Sequence, residues 1–329
     1  MTNHDTISVI ATVYNEGDNI HHLLESLCRQ TCPPDEVVIV DGGSQDDTVA
    51  RMASYASRLP LRIVSAPGAN ISRGRNIAIQ HASGSILAIT DAGVRLPDDW
   101  LEHLAGALRA ASQATVASGF FRADPHSVFE AALGATTLPL ADEIAPETFL
   151  PSSRSVAVRR SAALAVGGYP EWLDYCEDLI FDLRLKATQP PFLFVPQACV
   201  AFRPRPSLPA FWRQYYRYAR GDGKADLWRK RHAIRYGVYV LALALLGAGW
   251  WLHPAAWGLL AVGAAAYSAT PARRLRTVMR AAPRQDALAW AWALLLIPVI
   301  RGVGDVAKMC GYPPGVWWRW RHRPPDWRL

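Results

Sequence analysis

The sequence predicts an α/β fold, a parallel sheet with helices on both faces, followed by C-terminal membrane helices. Three observations carry this reading. From Ile7 to Thr90 short apolar runs alternate with segments of helical period, acidic residues cluster at the ends of those runs, and Gly237 to Ala272 holds no formal charge over 36 residues. Strand and helix in repeated alternation favour parallel pairing. In such sheets ligands bind at the carboxyl ends of the strands.

The elements follow in order. Ile7 to Val13 is an apolar run that breaks at Tyr14-Asn15-Glu16-Gly17 before HHLLESLCRQ, whose apolar residues recur at helical spacing. Val37 to Val40 leads through DGGSQDD to a helix over Thr48 to Ser57; Leu61 to Ser65 precedes a helix over Arg73 to His81; Ser85 to Thr90 ends on Asp91. Tyr14 to Glu16, Asp41 and Asp91 therefore converge on one cleft. A helix over about Asp98 to Ala111, an Ala-rich stretch to about Ala141 and a short strand at Ser155 to Val158 come next. After the turn GGYPE, a helix begins near Glu177, where Glu177 and Asp178 would face its positive end; the alternation of Leu179, Phe181, Leu183 and Leu185 leaves a strand open.

Charge divides the 329-residue chain. Residues 1 to 202 hold 14 Lys/Arg against 23 Asp/Glu, and residues 203 to 329 hold 21 against 5. A basic half interleaved with apolar runs, in a chain of 13 Trp, fits an anionic membrane face. No nucleic-acid motif is present, and none is expected as a partner. Cys28, Cys32, Cys176, Cys199 and Cys310 form no CxxC pair and no zinc-ligand spacing, so they read as reduced, mostly buried thiols. The first residues lack a basic patch followed by an apolar core, which places the N-terminal half in the cytoplasm.

The uncharged stretch would make a helix of roughly 54 Å, far more than the roughly 30 Å of hydrocarbon to be crossed. Two short helices turning at His253-Pro254 fit better. A third apolar segment, Ala287 to Ile300, runs into Arg301 and Asp305 and is expected to lie in the interface or re-enter. The loop between them carries Arg273, Arg274, Arg276, Arg280 and Arg284, which makes it cytoplasmic. The division expected is residues 1–202 as an α/β domain, 203–233 as a basic aromatic interfacial segment, and 234–329 as a membrane region ending in the aromatic strip VWWRWRHRPPDWRL.

ISVIATVYNEGDNI, PPDEVVIVDGGSQDDT, SRGRNIAIQHASGSILAITDAG and GGYPE followed by CEDLIFDLRL resemble, in order and approximate spacing, the catalytic domain of glycosyltransferase family 2. The resemblance covers about residues 5 to 200. It implies a GT-A fold and inverting transfer of a sugar from a nucleotide-diphosphate donor. By the same resemblance Thr12, Glu16 and Asp41 face the nucleoside, and Arg75 lies near the base or diphosphate. Asp91 becomes the first acid of a DxD motif and Asp178 the catalytic base. Glu177 orients the acceptor or tunes its neighbour.

Each residue has a plainer alternative. Asp41 fits a turn acid in DGGSQDD, Glu16 and Asp178 fit helix-start acids, and Arg75 fits a solvated helical arginine. Where the family commonly has a second acid this chain has Gly93, so a divalent ion, Mg²⁺ or Mn²⁺, would be held by Asp91, the donor's phosphates and water; in the rival view Arg75 or Arg95 replaces the metal. Further on, Gln214, Arg217 and Tyr218 in RQYYRYARGDG resemble the QxxRW motif of processive members, with Tyr218 for the tryptophan, and an amphipathic interfacial helix is the alternative. With Gln214 and Arg217 as acceptor-binding residues, the expectation is a membrane enzyme at the cytoplasmic face, with a lipid-linked or envelope glycan acceptor. A processive polysaccharide synthase and a non-catalytic membrane scaffold remain as rivals.

Overall fold

The computed structural model describes residues 5–328. The chain divides into two compact units. One runs from the N-terminus to Arg122 and includes Ala141–Phe202 and the tail from Pro325; the other joins Ala123–Leu140 to Arg203–Pro324.

In the first unit the elements are β1 (Ile7–Val13), α1 (Ile20–Cys28), β2 (Glu36–Asp41), α2 (Thr48–Ala53), β3 (Leu61–Ser65), α3 (Ile71–His81), β4 (Ile86–Ile89), β5 (Val94–Arg95) and α4 (Trp100–Ala110). They are followed by β6 (Val116–Ala123), and then, after the excursion of α5 (Val128–Thr137) into the second unit, by β7 (Val156–Arg159), α6 (Arg160–Ala165), α7 (Glu177–Thr188) and β8 (Phe192–Phe202). The strands form one sheet in the order β3-β2-β1-β4-β7-β6-β8-β5.

Strand alternation builds the core. On β1, Val9, Ala11 and Val13 face one cluster with Leu23, Leu24 and Leu27 of α1 and Trp100 of α4, while Ile10 faces the other with Ala78 and Ile79 of α3 and Phe181 of α7. Residues 20, 23, 24 and 27 lie one helical turn apart, which is why IHHLLESLC folds as a helix against that face. Burying each large side chain contributes about 1.5–3 kcal/mol. The parallel register puts Val13 beside Asp41, so the acids that end the strands share one sheet edge.

The expected parallel sheet holds for β1 to β4, whose pairs are parallel. It fails beyond: β7 pairs antiparallel with β4 and β6, and β5 pairs antiparallel with β8. The sheet is mixed because the chain returns over residues 116–202 through long connections that no local period signals. The helix expected over Thr48 to Ser57 is shorter, and the segment after Glu177 is a helix.

The second unit is helical: α5, α8 (Leu208–Ala225), α9 (Arg229–Trp251), α10 (Ala255–Met279) and α11 (Ala287–His322). Ser207 and Asp286 cap α8 and α11 through side-chain oxygens that accept backbone N–H bonds. Ala131, Ala132 and Ala135 of α5, Phe211 of α8, Leu275 and Met279 of α10 and Ala293, Ile297 and Ile300 of α11 form its core. Helices α8 and α11 touch backbone to backbone. A Cβ on Gly311 would overlap the Tyr216 carbonyl oxygen, one on Gly315 the Arg220 carbonyl oxygen, and one on Gly223 would meet Tyr312 and Val316.

Two helices are long and apolar enough to cross a membrane, α9 and α11. The turn at His253-Pro254 is present, but α10 continues from its apolar half into Arg273, Arg274 and Arg276. The third apolar segment is not a short interfacial piece: it is the first part of a single 36-residue helix. RQYYRYARGDG lies in α8, packed on α11. All five cysteines are free; four are half-buried and Cys310 is exposed, so burial is less complete than expected.

Candidate active site

The carboxyl ends of β1 and β2 and the start of α3 enclose a cleft of about 180 Å³ lined by Thr12, Val13, Tyr14, Glu16, Val40, Gly42, Ala69, Asn70, Ile71 and Gly74. Gly74 lets α3 approach β1, since a Cβ there would press on the Thr12 methyl at 2.8 Å. Asn70 caps α3 by accepting the Arg73 amide at 2.9 Å. Asn15 sits in the left-handed region at φ 53° beside the cleft, a conformation that Asn tolerates better than most residues.

Thr12 and Glu16 both lie on the cleft wall. Glu16 begins a short 3₁₀ turn but makes no side-chain capping bond. Asp41 is tied into its own turn. Its carboxylate, 4% exposed, accepts the amides of Gly43 and Ser44 and the Ser44 hydroxyl at 2.6 Å, so both oxygens are used inside the DGGS turn.

Arg75 is the hinge of the site. It is 2% exposed, and its guanidinium forks between two acids: Nη1 donates to Glu177 Oε1 at 2.7 Å and Nη2 to Asp91 Oδ1 at 2.8 Å. The Tyr169 ring lies 5.1 Å from it. The other Asp91 oxygen lies 3.6 Å from Nε of Arg154, a residue no sequence motif marked. Although burial works against its ionisation, Arg75 and Arg154 hold the Asp91 carboxyl below the ordinary carboxylate range.

Glu177 and Asp178 open α7. The N-cap is Cys176, in the left-handed region at φ 65°, and it makes no side-chain cap, so neither acid is the cap residue. A non-glycine residue held at positive φ beside a candidate site is strain of the kind that accompanies function. Asp178 is half-buried and its Oδ1 accepts the Leu179 amide at 2.9 Å. Glu177 is buried; loss of water and the neighbouring Asp178 push its carboxyl up to about 7 against the pull of Arg75. One turn on, Asp182 is 2% exposed with Oδ2 unpartnered; burial first, then Asp178, raises its carboxyl well above the ordinary value. Sequence reasoning passed over Asp182, although its i, i+4 relation to Asp178 was a readable signal.

Asp91 and Glu177 thus share the Arg75 guanidinium, with Asp178 and Asp182 following on α7. Burial and mutual repulsion raise the carboxyls of Glu177 and Asp182 there. Among the described residues no three His, Cys, Asp or Glu side chains gather as a metal site. Gln214 and Arg217 belong to the second unit: Gln214 Nε2 donates to Tyr218 Oη at 2.7 Å, and Arg217 is exposed on α8.

A cleft at the carboxyl ends of parallel strands, beside a buried arginine and an acid-rich α7, has the placement of a ligand site in open α/β sheets. Residues 8–150 match the glycosyl transferase family 2 profile. Glycosyltransferase AglE of Haloferax volcanii is 39% identical over 102 residues, 30% of this chain and 33% of that protein. The mannosyltransferase PcManGT of Pyrobaculum calidifontis, solved with GDP-Man and Mn²⁺, superposes with a TM-score of 0.55 at 19% identity, over 97% of this chain and 87% of its own. S. aureus TarS 1-349 in complex with UDP-GlcNAc gives 0.52 at 19%, over 97% and 92%. Residues 8–150 thus carry a glycosyl transferase family 2 domain. The aligned segments span about a third or less of the curated relatives they match.

Proposed function

We propose that this chain moves a sugar from a nucleotide-diphosphate donor to a lipid-linked or envelope glycan acceptor at the cytoplasmic face of a membrane, with inversion at the anomeric carbon. The observation that carries the reading is the fork of Arg75 between Asp91 and Glu177, which draws the ends of β4, α3 and α7 to one point beside the nucleotide cleft. The nucleoside occupies the cleft walled by Thr12 and Glu16, and the diphosphate lies toward Arg75 and Asp91. Asp178 takes the acceptor hydroxyl proton as that oxygen bonds to the sugar and the sugar–phosphate bond breaks, the electron pair leaving with the diphosphate. Glu177 and Asp182, whose carboxyls burial raises, flank Asp178 on α7. Arg75 and Arg154 offset the charge of the leaving group.

Among the described residues Asp91 is the carboxylate placed to share a divalent ion with a donor. Asp91 Oδ2 is loosely held by Arg154, so an ion there would share a single carboxylate with the donor's phosphates and water. Such an ion would draw charge from the diphosphate. The apolar exteriors of α9 and α11 support membrane attachment, and Gln214, Arg217 and the other α8 cations support an anionic acceptor. The test is direct. Detergent-solubilised protein is incubated with a panel of nucleotide sugars and membrane lipid extract, and released nucleotide is measured together with a mass-shifted lipid. Nucleotide release without any glycosylated product would leave donor hydrolysis but sink the transferase reading.

A further inference from the structure

Within the second unit one acid ties three helices together. Asp305 of α11, 6% exposed, accepts Nε of Arg235 from α9 at 2.8 Å, Tyr239 Oη from α9 at 3.3 Å and Tyr267 Oη from α10. Arg301 and Lys308 flank it at i−4 and i+3, on the same face of α11.

These two cations are the anomaly. Both are half-buried, and among the described residues neither has a carboxylate within salt-bridge distance. Arg301 lies over the Tyr267 ring at 3.8 Å with its Nε buried and unpartnered, and Lys308 lies over the Tyr215 ring at 4.7 Å. A ring face returns only part of what a cation loses on leaving water. Asp305 cannot make up the difference, since Arg235 already matches its charge. Asp222 of α8 also acts on Lys308, so three cations face two carboxylates and the junction lacks about one negative charge. The α8 arginines raise no such demand: Arg213 and Arg217 are exposed, and water meets their charge.

Its position names the class of anion. Immediately beyond Tyr239, α9 exposes Val240, Leu241 and Leu243, and just before Tyr267, α10 exposes Leu259 and Val262. The cations thus sit where a polar face gives way to an apolar one, flanked by tyrosines, the level of lipid headgroups. A phosphate group supplies about −1.5 to −2 near neutral pH and several strong acceptor oxygens.

We propose that the junction of α9, α10 and α11 binds the phosphate headgroup of a membrane lipid, with Arg301 and Lys308 as the cations that hold it. The site deepens the acceptor reading above and rests on it only in taking that lipid as the substrate. Basic pockets between membrane helices recognise phosphate headgroups through the same pairing of charge and depth.

The test measures binding of the full chain to nanodiscs holding either phosphatidic acid, a phosphomonoester lipid, or phosphatidylglycerol, a phosphodiester, at matched surface charge. The wild type is expected to bind phosphatidic acid at least about tenfold more tightly, and soluble glycerol phosphate about 100-fold more weakly than the lipid. The double variant Arg301→Gln, Lys308→Gln is expected to lose the monoester preference while nucleoside diphosphate affinity stays unchanged. The charge-matched pair Arg276→Gln, Arg280→Gln is expected to keep it. Equal affinity of the wild type for the two lipids overturns the proposal whether or not the variants fold. So does a preference that survives the double variant, or soluble phosphate binding as tightly as lipid. Phosphatidic acid preference without sugar transfer to any lipid would leave the site standing and remove the acceptor reading.

Discussion

Glu177→Gln is expected to stabilise this protein above neutral pH, although it deletes one partner of a buried ion pair. The reason lies in the balance at Arg75. Burial and Asp178 raise the Glu177 carboxyl from 4.5 to about 7, so the cost of ionising it in place exceeds what Arg75 returns. Between pH 4.5 and 7 the folded chain holds a proton that the unfolded chain has released. Stability therefore falls as pH rises through that window. The shift corresponds to at most about 3 kcal/mol, at about 1.4 kcal/mol per unit. Glutamine keeps the shape and still accepts from Nη1, and Arg75 keeps its 2.8 Å bond to Asp91, so no charge is stranded. Thermal melts followed by tryptophan fluorescence from pH 4.5 to 8.5 read the effect. At about 2–4 °C per kcal/mol, the variant should melt about 6–12 °C above the wild type at pH 8 and be flatter across the window. Asp182, raised in the same direction, leaves a residual downward slope in both proteins. A variant that melts below the wild type at pH 8, or follows its slope, would refute the reasoning.

Three further outcomes are expected. Asp178→Asn should lower transfer by about 10²- to 10⁴-fold with donor affinity nearly unchanged in calorimetry; wild-type turnover would remove Asp178 from its role as base. If an ion enters with the donor, calorimetry should show nucleoside diphosphate bound more tightly with Mn²⁺ than with EDTA, and Asp91→Ala should erase that difference. Equal affinity together with full activity in EDTA would leave Arg75 and Arg154 to carry the diphosphate alone. Gly311→Ala forces a methyl onto the Tyr216 carbonyl and should cost about 1–3 kcal/mol, read as a lower melting temperature, whereas Gly302→Ala, where a Cβ meets open space, should not.

What the sequence disclosed follows from the range over which each signal acts. Strands β1 to β4 alternate with helices at periods of two and 3.6, and their bounds fall within a residue or two of expectation. Strand β8 was missed because FLFVPQACVAF contains Pro196 and no neighbouring helix of clear period, and its place beside β6 and β5 is decided by pairing across distant sequence. In α11, Arg301, Asp305 and Lys308 looked like the end of an apolar segment. A linear reading does not see that they share a face with Arg235 and two tyrosines waiting for them. The site shows the same divide. Thr12, Glu16, Asp91 and Asp178 stood in ordered motifs, but the fork that joins Asp91 to Glu177 spans 86 and 102 residues of chain through one arginine, and Arg154 carries no motif.

The glycine seam between α8 and α11 has a mechanical consequence. Side chains between helices act as compliant spacers, able to change rotamer and absorb a shift of an ångström. Gly223, Gly311 and Gly315 remove that slack, because peptide backbone lies directly on peptide backbone. Any tilt imposed on α11 by the surrounding medium is therefore passed to α8 undiminished. Gln214 and Arg217 ride on a stiff lever, and a change in bilayer thickness or lateral pressure would be felt at those residues as displacement, without the binding of any ligand.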